Sequence, residues 1–145
     1  MKKILLLFVL SGLIFSASSC KKKEKSCPKP EVWGVGTWKA SKIEDPNGNV
    51  VDPASSAYAQ CYVNSEQFTL NDSHDGAQWI WADVDQNTNA CTPQTLTITA
   101  WAENMKTKRL YITTNQYGSF ELIYTNDHEC YMDFDYKYYY QKQDN

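Results

Sequence analysis

The sequence predicts an all-β domain: an up-and-down antiparallel meander that closes into a small barrel of roughly eight strands. Turn-forming residues interrupt the chain every eight to twelve residues, the runs between them alternate apolar and polar side chains, and no sustained helical period follows the first twenty residues. Short connections favour pairing between sequence neighbours, and closing the meander removes exposed sheet edges. A two-sheet sandwich is the alternative that this pattern leaves open.

Seven runs are predicted as strands, separated by clusters of Asn, Asp, Gly and Ser, which reverse the chain readily. The runs are Thr37–Ile43, Glu66–Asn71, Gln78–Val84, Thr95–Trp101, Arg109–Thr113, Ser119–Thr125 and Tyr131–Gln141. A further short strand is expected at Val50–Val51. Between this strand and Glu66, the segment Asp52–Gln60 is expected to form one helical turn, because Pro53 suits a first helical position.

Alternation within the runs predicts which side chains face the core. Leu96, Ile98 and Ala100 share one face of their run, and Leu110 and Ile112 share one face of the next. Period two is typical of strands with one buried and one wet face.

The last run supplies the candidate binding site. Its strict alternation places five large side chains on one face: Met132, Phe134, Tyr136, Tyr138 and Tyr140. Tyrosine combines an apolar ring with a hydroxyl that needs a partner when buried, whereas a core built only for stability more often uses Leu, Ile and Val. We therefore predict that Phe134, Tyr136, Tyr138 and Tyr140 line a pocket inside the barrel for a small apolar or aromatic ligand. The alternative is that the hydroxyls reach the rim and bond water or backbone.

Residues 1–19 are predicted to be a signal peptide. Two lysines precede the apolar run Ile4–Phe15, which is too short to cross a membrane as a helix of about 20 residues. The segment Ala17-Ser18-Ser19-Cys20 resembles the lipobox of bacterial lipoproteins. The resemblance implies that the Cys20 thiol is acylated, with palmitate among the expected chains, and that Cys20 becomes the mature N-terminus. Ordinary cleavage nearby is the alternative.

Residues 20–32 are expected to be a tether that follows the lipidated cysteine, because the charged run Lys21–Ser26 cannot pack into a core. Residues 33–145 then form the barrel domain. This organisation predicts a lipid-anchored protein of the bacterial cell envelope, on the outer membrane, whose partners include that membrane and, as a further candidate, another envelope protein.

Charge and motif content limit the function classes. From Pro28 onward the chain has eight basic and sixteen acidic residues, a net charge of −8, so the basic stripe of a nucleic-acid binder is absent. The sequence has none of the usual hydrolase, metalloprotease or phosphate-loop motifs, so neither an enzyme nor a cofactor or metal site is expected. The oxygen-rich segment Asp83–Asn89 begins like a calcium loop, but Thr88 and Gln94 replace the required Gly and Glu, which indicates a polar turn.

Four cysteines remain once Cys20 is assigned to lipid: Cys27, Cys61, Cys91 and Cys130. An even number in an exported chain indicates two disulfides, with three possible pairings, and the absence of a C-x-x-C pair argues against zinc. Cys61 precedes one predicted strand and Cys91 follows the next, and a hairpin brings such positions together. We therefore expect Cys61–Cys91 and, by elimination, Cys27–Cys130.

The segment Gly36-Thr37-Trp38 opens the first strand with G-x-W. With the lipoprotein leader, the positions of Cys61 and Cys91, the segment Phe68-Thr69-Leu70 and the aromatic closing strand, it resembles the bacterial lipocalin-like domain lipoproteins. The resemblance covers about Trp33 to Lys142 and implies a lipocalin-like barrel. Lipocalins also stack an arginine on this tryptophan, and the only arginine here is Arg109.

Two functions follow as hypotheses. The first is an anchored barrel that binds a small apolar or aromatic ligand. The second is a protein-interaction lipoprotein, an inhibitor or assembly subunit, with a solid barrel. Barrels host both uses, so the fold does not decide between them.

Overall fold

The computed structural model describes residues 32–73 and 77–144, and they form a closed antiparallel barrel of eight strands in sequence order. The predicted all-β meander is therefore confirmed. The elements are β1 (Gly36–Glu44), a 3-10 helix (Pro53–Ser55), α1 (Ala57–Ser65), β2 (Gln67–Leu70), β3 (Gln78–Trp81), β4 (Gln94–Asn104), β5 (Arg109–Thr114), β6 (Gly118–Asn126), β7 (Glu129–Asp133) and β8 (Lys137–Lys142). The predicted signal peptide, Cys20 and nearly all of the tether lie outside the described residues.

The barrel closes because β1 pairs with both β2 and β8. Trp38 lies opposite Phe68 on one side and opposite Lys142 on the other. The register places four connections at one end of the barrel, which we call the helix end because one of them contains α1. These connections are residues 45–66, 82–93, 115–117 and 134–136.

The last predicted run is a hairpin of two strands, so its prediction as one strand was wrong. β7 ends at Asp133, β8 begins at Lys137, and the Phe134 amide donates to the Tyr136 carbonyl across the turn at 3.1 Å. The turn contains no Gly, Pro or Asn, and Asp135 alone, between two aromatic residues, does not form the cluster of turn residues that separates the other runs.

Bulges change the inward face of two strands. The pairing of β4 with β5 shifts between Ile98 and Ala100, so Trp101 is buried and Ala100, which was predicted to face the core, is exposed. An equivalent shift between Ala40 and Lys42 turns the later part of β1. A bulge inserts one extra residue and so reverses the parity that alternation assumes.

The segment after β1 is more helical than predicted. Asp52 caps the 3-10 helix by accepting from the Ala54 amide at 2.9 Å, and Ser56 caps α1 by accepting from the Ala59 amide at 3.0 Å. Two successive caps satisfy backbone donors that a helix start leaves free. The strand expected at Val50–Val51 is only an isolated bridge to Glu44.

Aromatic rings fill much of the barrel interior. The fully buried rings are Trp38, Tyr62, Phe68, Trp79 and Tyr140. Tyr62 enters from α1 and donates from its hydroxyl to the Tyr139 carbonyl at 2.9 Å. The helix therefore packs against the helix end of the barrel as part of the core. Among residues 32–73 and 77–144, no helix has the length and apolar character needed to cross a membrane.

The predicted Cys61–Cys91 disulfide is confirmed, with the two Cα atoms 5.3 Å apart. It ties α1 to the connection between β3 and β4. The second predicted pair is not formed: Cys130 is a free thiol, 0% exposed, on the inward face of β7. Cys27 lies outside the described residues. Elimination failed because it assumed that all four remaining cysteines are paired, whereas the Cys130 thiol is packed in the core.

Candidate functional site

A cavity of about 440 Å³ lies at the helix end, between α1, the end of β1 and the β7–β8 hairpin. We call it the mouth pocket. Its lining combines apolar side chains, three tyrosine rings and a few polar groups, the mixture typical of small-molecule sites. The lining residues are Ile43, Val51 and Ala59; Tyr58, Tyr136 and Tyr138; and Asp45, Ser55 and Ser56.

Tyr138 is the central ring of the pocket wall. It is half-buried and makes edge contacts with Tyr58 (centroids 6.3 Å apart, planes at 87°) and Tyr62 (5.4 Å, 68°). Edge-to-face packing places the positive edge of one ring against the negative face of the next. Because Tyr62 is buried in the core, its ring supports Tyr138 from the side of the barrel interior.

The tyrosine hydroxyls of the pocket are available to a ligand. Within the described ranges, the hydroxyls of Tyr58, Tyr136 and Tyr138 make no hydrogen bond to protein. Burial, followed by the charge of Glu66, raises the pKa values of Tyr58 and Tyr138 above the ordinary tyrosine value. Both hydroxyls are therefore neutral at physiological pH and can donate or accept.

Asp45 brings a carboxylate to the pocket. It begins the turn after β1, where Oδ1 accepts from the Asn47 amide (2.9 Å) and the Asn49 amide (2.8 Å) and Oδ2 accepts from the Asn49 side chain (3.1 Å). Hydrogen bonds from Asn49 lower the pKa of Asp45 below its usual value. The carboxylate is thus ionised and held by its own turn.

The structure separates the four residues predicted to bind a ligand. Tyr136 and Tyr138 line the mouth pocket. Phe134 is 58% exposed at the tip of the hairpin, with its ring 6.3 Å from that of Tyr138. Tyr140 is 0% exposed and belongs to the core. Phe134, Tyr136 and Tyr138 therefore lie at the rim of the barrel end rather than around an internal pocket, because the interior is occupied by rings that include Tyr140.

A buried carboxylate lies beneath this region. Glu66, 2% exposed, accepts from the Tyr140 hydroxyl, from Trp79 Nε1 at 3.2 Å and from the Ala82 amide at 3.0 Å. Burial raises the pKa of Glu66 to about 7, even though these hydrogen bonds act in the opposite direction. Glu66 therefore changes charge near neutral pH.

A continuous set of rings joins Glu66 to the mouth pocket. Tyr140 donates to Glu66 and packs edge-on against Tyr62, with centroids 5.8 Å apart. Tyr62 in turn contacts Tyr138. The tyrosine wall of the mouth pocket therefore packs against the core that contains Glu66, the only buried carboxylate among the described residues.

Four of these residues were not predicted from the sequence. Tyr58 and Tyr62 are four apart, the spacing of one helix face, but the segment was expected to form only a single turn. Glu66 has the same parity as the inward residues Phe68 and Leu70, so an acidic residue at an inward position was the available signal. Nothing in the sequence places Asp45 near Tyr136, because that proximity depends on the pairing of β1 with β8.

Two other cavities offer less to a small ligand. One of about 380 Å³, at the end opposite α1, is lined only by polar and charged side chains such as His128 and Lys142. The other, about 220 Å³, lies on the outer wall of β2 and β3. Over the described residues, no three His, Cys, Asp or Glu side chains are grouped to hold a metal, and Asp85 accepts from the Asn87 amide within the polar turn.

No protein-family model matches this chain, and no curated protein matches it. Among solved structures, the chain is similar to the crystal structure of a lipocalin-like protein from Bacteroides uniformis ATCC 8492. The TM-score is 0.44 and the sequence identity 8%, with 77% of this chain and 100% of that chain covered. The likeness is one of fold only.

Proposed function

We propose that this protein is a lipid-anchored envelope protein that binds a small ligand, with an apolar or aromatic body, in the mouth pocket. The observation that carries the proposal is the pocket itself: about 440 Å³, walled by Tyr58, Tyr136 and Tyr138, whose hydroxyls lack protein partners among the described residues. Ligand pockets of this size usually join apolar walls to a few polar groups that fix orientation.

Ligand binding is tested on the full chain purified from its own cell envelope in a neutral detergent. Native mass spectrometry detects retained ligand, and titration with apolar fluorophores and fatty acids detects binding. Tyr138→Ala should weaken binding at least tenfold, because it removes the central ring of the wall. Tyr111→Ala is the matched control, since Tyr111 is an exposed tyrosine on β5, outside the pocket. Equal affinity for wild type and Tyr138→Ala would reject the mouth pocket as the site.

The anchor is a separate part of the proposal, supported by the leader and the Ala17-Ser18-Ser19-Cys20 segment. Each buried CH₂ of an acyl chain contributes about 0.8 kcal/mol, so two or more chains hold a small domain on a membrane. Cys20→Ser should move the protein to the soluble fraction and remove the acyl mass, whereas Cys27→Ser should change neither. The anchor would be overturned if Cys20→Ser still fractionated with membranes and the wild-type protein carried no acyl mass.

A protein partner is the second candidate function, favoured by the filled interior and by exposed rings at the helix end. Phe134 is 58% and Tyr117 47% exposed, at the tips of two neighbouring connections. Large exposed apolar side chains near one another often mark a contact surface. The double variant Phe134→Ser, Tyr117→Ser should abolish cross-linking to an envelope partner, while Tyr138→Ala should spare it. The opposite pattern would favour the small ligand.

A further inference from the structure

Charge is distributed unevenly between the two ends of the barrel. The four connections of the helix end contain six acidic residues and no Lys or Arg: Asp45, Asp52, Glu66, Asp83, Asp85 and Asp135. The three connections at the other end contain Lys106 and Lys108 against Asp72, Asp75 and Asp127, a net charge of −1 compared with −6 at the helix end. The mouth pocket therefore opens on the more negative end of the barrel, and none of its nine lining residues is basic.

We propose that the mouth pocket selects a small organic cation, an ammonium group carried on an apolar or aromatic body. This inference rests on the proposed function and narrows its ligand class. The walls supply the faces and edges of Tyr58, Tyr136 and Tyr138, and Asp45 supplies an ionised carboxylate at the same cavity. Tyrosine faces attract cations through the ring quadrupole, and aromatic cages are the usual site for alkylammonium groups.

The electrostatics of the pocket residues agree with this ligand class. After burial, the charge of Glu66 is the largest cause that raises the pKa values of Tyr58 and Tyr138. The charge of Asp83 adds to this effect at Tyr58, and the charge of Asp135 adds to it at Tyr138. The field at both rings is therefore negative. A cation that enters replaces solvent beside these groups, whereas an anion is repelled by the same carboxylates.

The protein already contains the contact that we infer. On the outer wall, Lys42 Nζ lies 4.1 Å from the Tyr139 ring centroid and 2.7 Å from Glu44 Oε1, so one ammonium is shared between a tyrosine face and a carboxylate. Tyr136 and Asp45 offer the same pair of groups in the mouth pocket, but without a protein cation. An ammonium from a ligand would complete the arrangement.

The test uses three probes with the same ring and linker but different charge: 2-phenylethylammonium, 2-phenylethanol and phenylacetate. Each is titrated by calorimetry into the full chain in dodecyl maltoside at pH 7.5 and low salt. We expect the cation to bind about tenfold or more tighter than the alcohol, with no binding of the anion, and we expect this advantage to shrink in 0.5 M NaCl.

Two variants locate the selectivity. Asp45→Asn keeps the acceptor oxygen for the turn but removes the charge, so it should reduce cation affinity about fivefold and leave 2-phenylethanol unchanged. Tyr136→Leu keeps an apolar side chain but removes the ring face, and should weaken the cation more than the alcohol. Asp127→Asn, in an exposed turn at the other end, is the control and should change nothing.

The outcomes separate this inference from the proposed function. Equal binding of the cation and the alcohol, both weakened by Tyr138→Ala, would overturn cation selection and leave the apolar pocket standing. Binding of the cation that is insensitive to Asp45→Asn and Tyr136→Leu would place it elsewhere and reject the inference. Absence of binding by all three probes would also reject cation selection. The titration with fluorophores and fatty acids would still test whether the mouth pocket binds a ligand.

Discussion

The hydroxyl of Tyr140 donates a hydrogen bond to the carboxylate of Glu66 inside the barrel, where neither side chain is exposed by more than 2%. Tyr140 is on the closing strand and Glu66 directly follows α1, so the bond joins the barrel closure to the helix that packs on it. A buried carboxyl without such donors would cost several kcal/mol, and the three donors to Glu66 make its burial tolerable.

The raised pKa of Glu66 predicts that the free energy of unfolding decreases as pH rises from about 4.5 to about 7. The folded state keeps the proton up to about pH 7, whereas the unfolded chain releases it near 4.5, so the folded state binds more protons in this window. The contribution of Glu66 to the free energy of unfolding should therefore decrease by about 3 kcal/mol across the window and stay constant above it. Urea unfolding between pH 4.5 and 8.5 measures the change.

The variant Glu66→Gln is the control for this pH dependence. It cannot titrate, so its unfolding free energy should lack the fall that wild type shows, whatever constant cost the amide adds. Glu121→Gln changes an exposed carboxylate on β6 and should keep the wild-type slope. If Glu66→Gln and wild type have parallel stability profiles, Glu66 does not titrate in this range.

Much of the fold could be predicted because it depends on local signals. Turn residues and period-two alternation located six of the eight strands, and their short connections indicated a meander. The β7–β8 hairpin was missed because Phe134-Asp135-Tyr136 has a single turn-forming residue, Asp135, and no Gly, Pro or Asn. Ala100 was assigned to the wrong face because a bulge is a property of strand pairing, which alternation in one strand does not contain.

The candidate site was only half predictable for the same reason. Tyr136 and Tyr138 follow from alternation along one segment. Tyr58, Asp45 and the filled interior depend on where α1 packs, which is decided by Tyr62 and the Cys61–Cys91 disulfide. The pocket therefore lies at the helix end rather than in the interior, where it was expected, because contacts between distant segments of the chain determine its position.

Lys142 is predicted to stabilise the end of the barrel opposite α1. Its Nζ lies 5.7 Å from the centroid of the Trp38 ring and donates to the Trp33 carbonyl at 2.9 Å, whereas Arg109 pairs with Glu121 on the outer wall. Lys142→Met keeps the apolar stem but loses both contacts, so it should lower the unfolding free energy by about 1–2 kcal/mol. Lys39→Met, an exposed lysine on β1, should change it by less than about 0.5 kcal/mol.

Gly36 is predicted to tolerate a side chain poorly. Its φ is +130°, and a Cβ added there would lie 3.0 Å from Lys142 Cε. Gly36→Ala should therefore destabilise by about 2–3 kcal/mol, through backbone strain and displacement of Lys142. Gly48 also has positive φ, at +83°, but no atom within 4 Å of its added Cβ, so Gly48→Ala isolates the backbone cost and should destabilise by about 1 kcal/mol. Equal costs at both sites would mean that the contact with Lys142 is unimportant.

The Cys61–Cys91 disulfide is predicted to hold the mouth pocket in shape as well as to stabilise the fold. It fixes α1, which supplies Tyr58 and Ala59 to the pocket, against the connection between β3 and β4. The double variant Cys61→Ser, Cys91→Ser opens a closed loop of 30 residues and should lower the unfolding free energy by about 3–4 kcal/mol.

Ligand binding distinguishes the two roles of the disulfide. At a temperature where the double variant remains folded by circular dichroism, its affinity for a pocket ligand should still fall several-fold, because a loosely held α1 must be ordered on binding. Cys27→Ser controls for loss of a thiol and should match wild type. A double variant that is less stable but binds with wild-type affinity would show that Tyr62, packed against Tyr138 and Tyr140, is sufficient to position the helix.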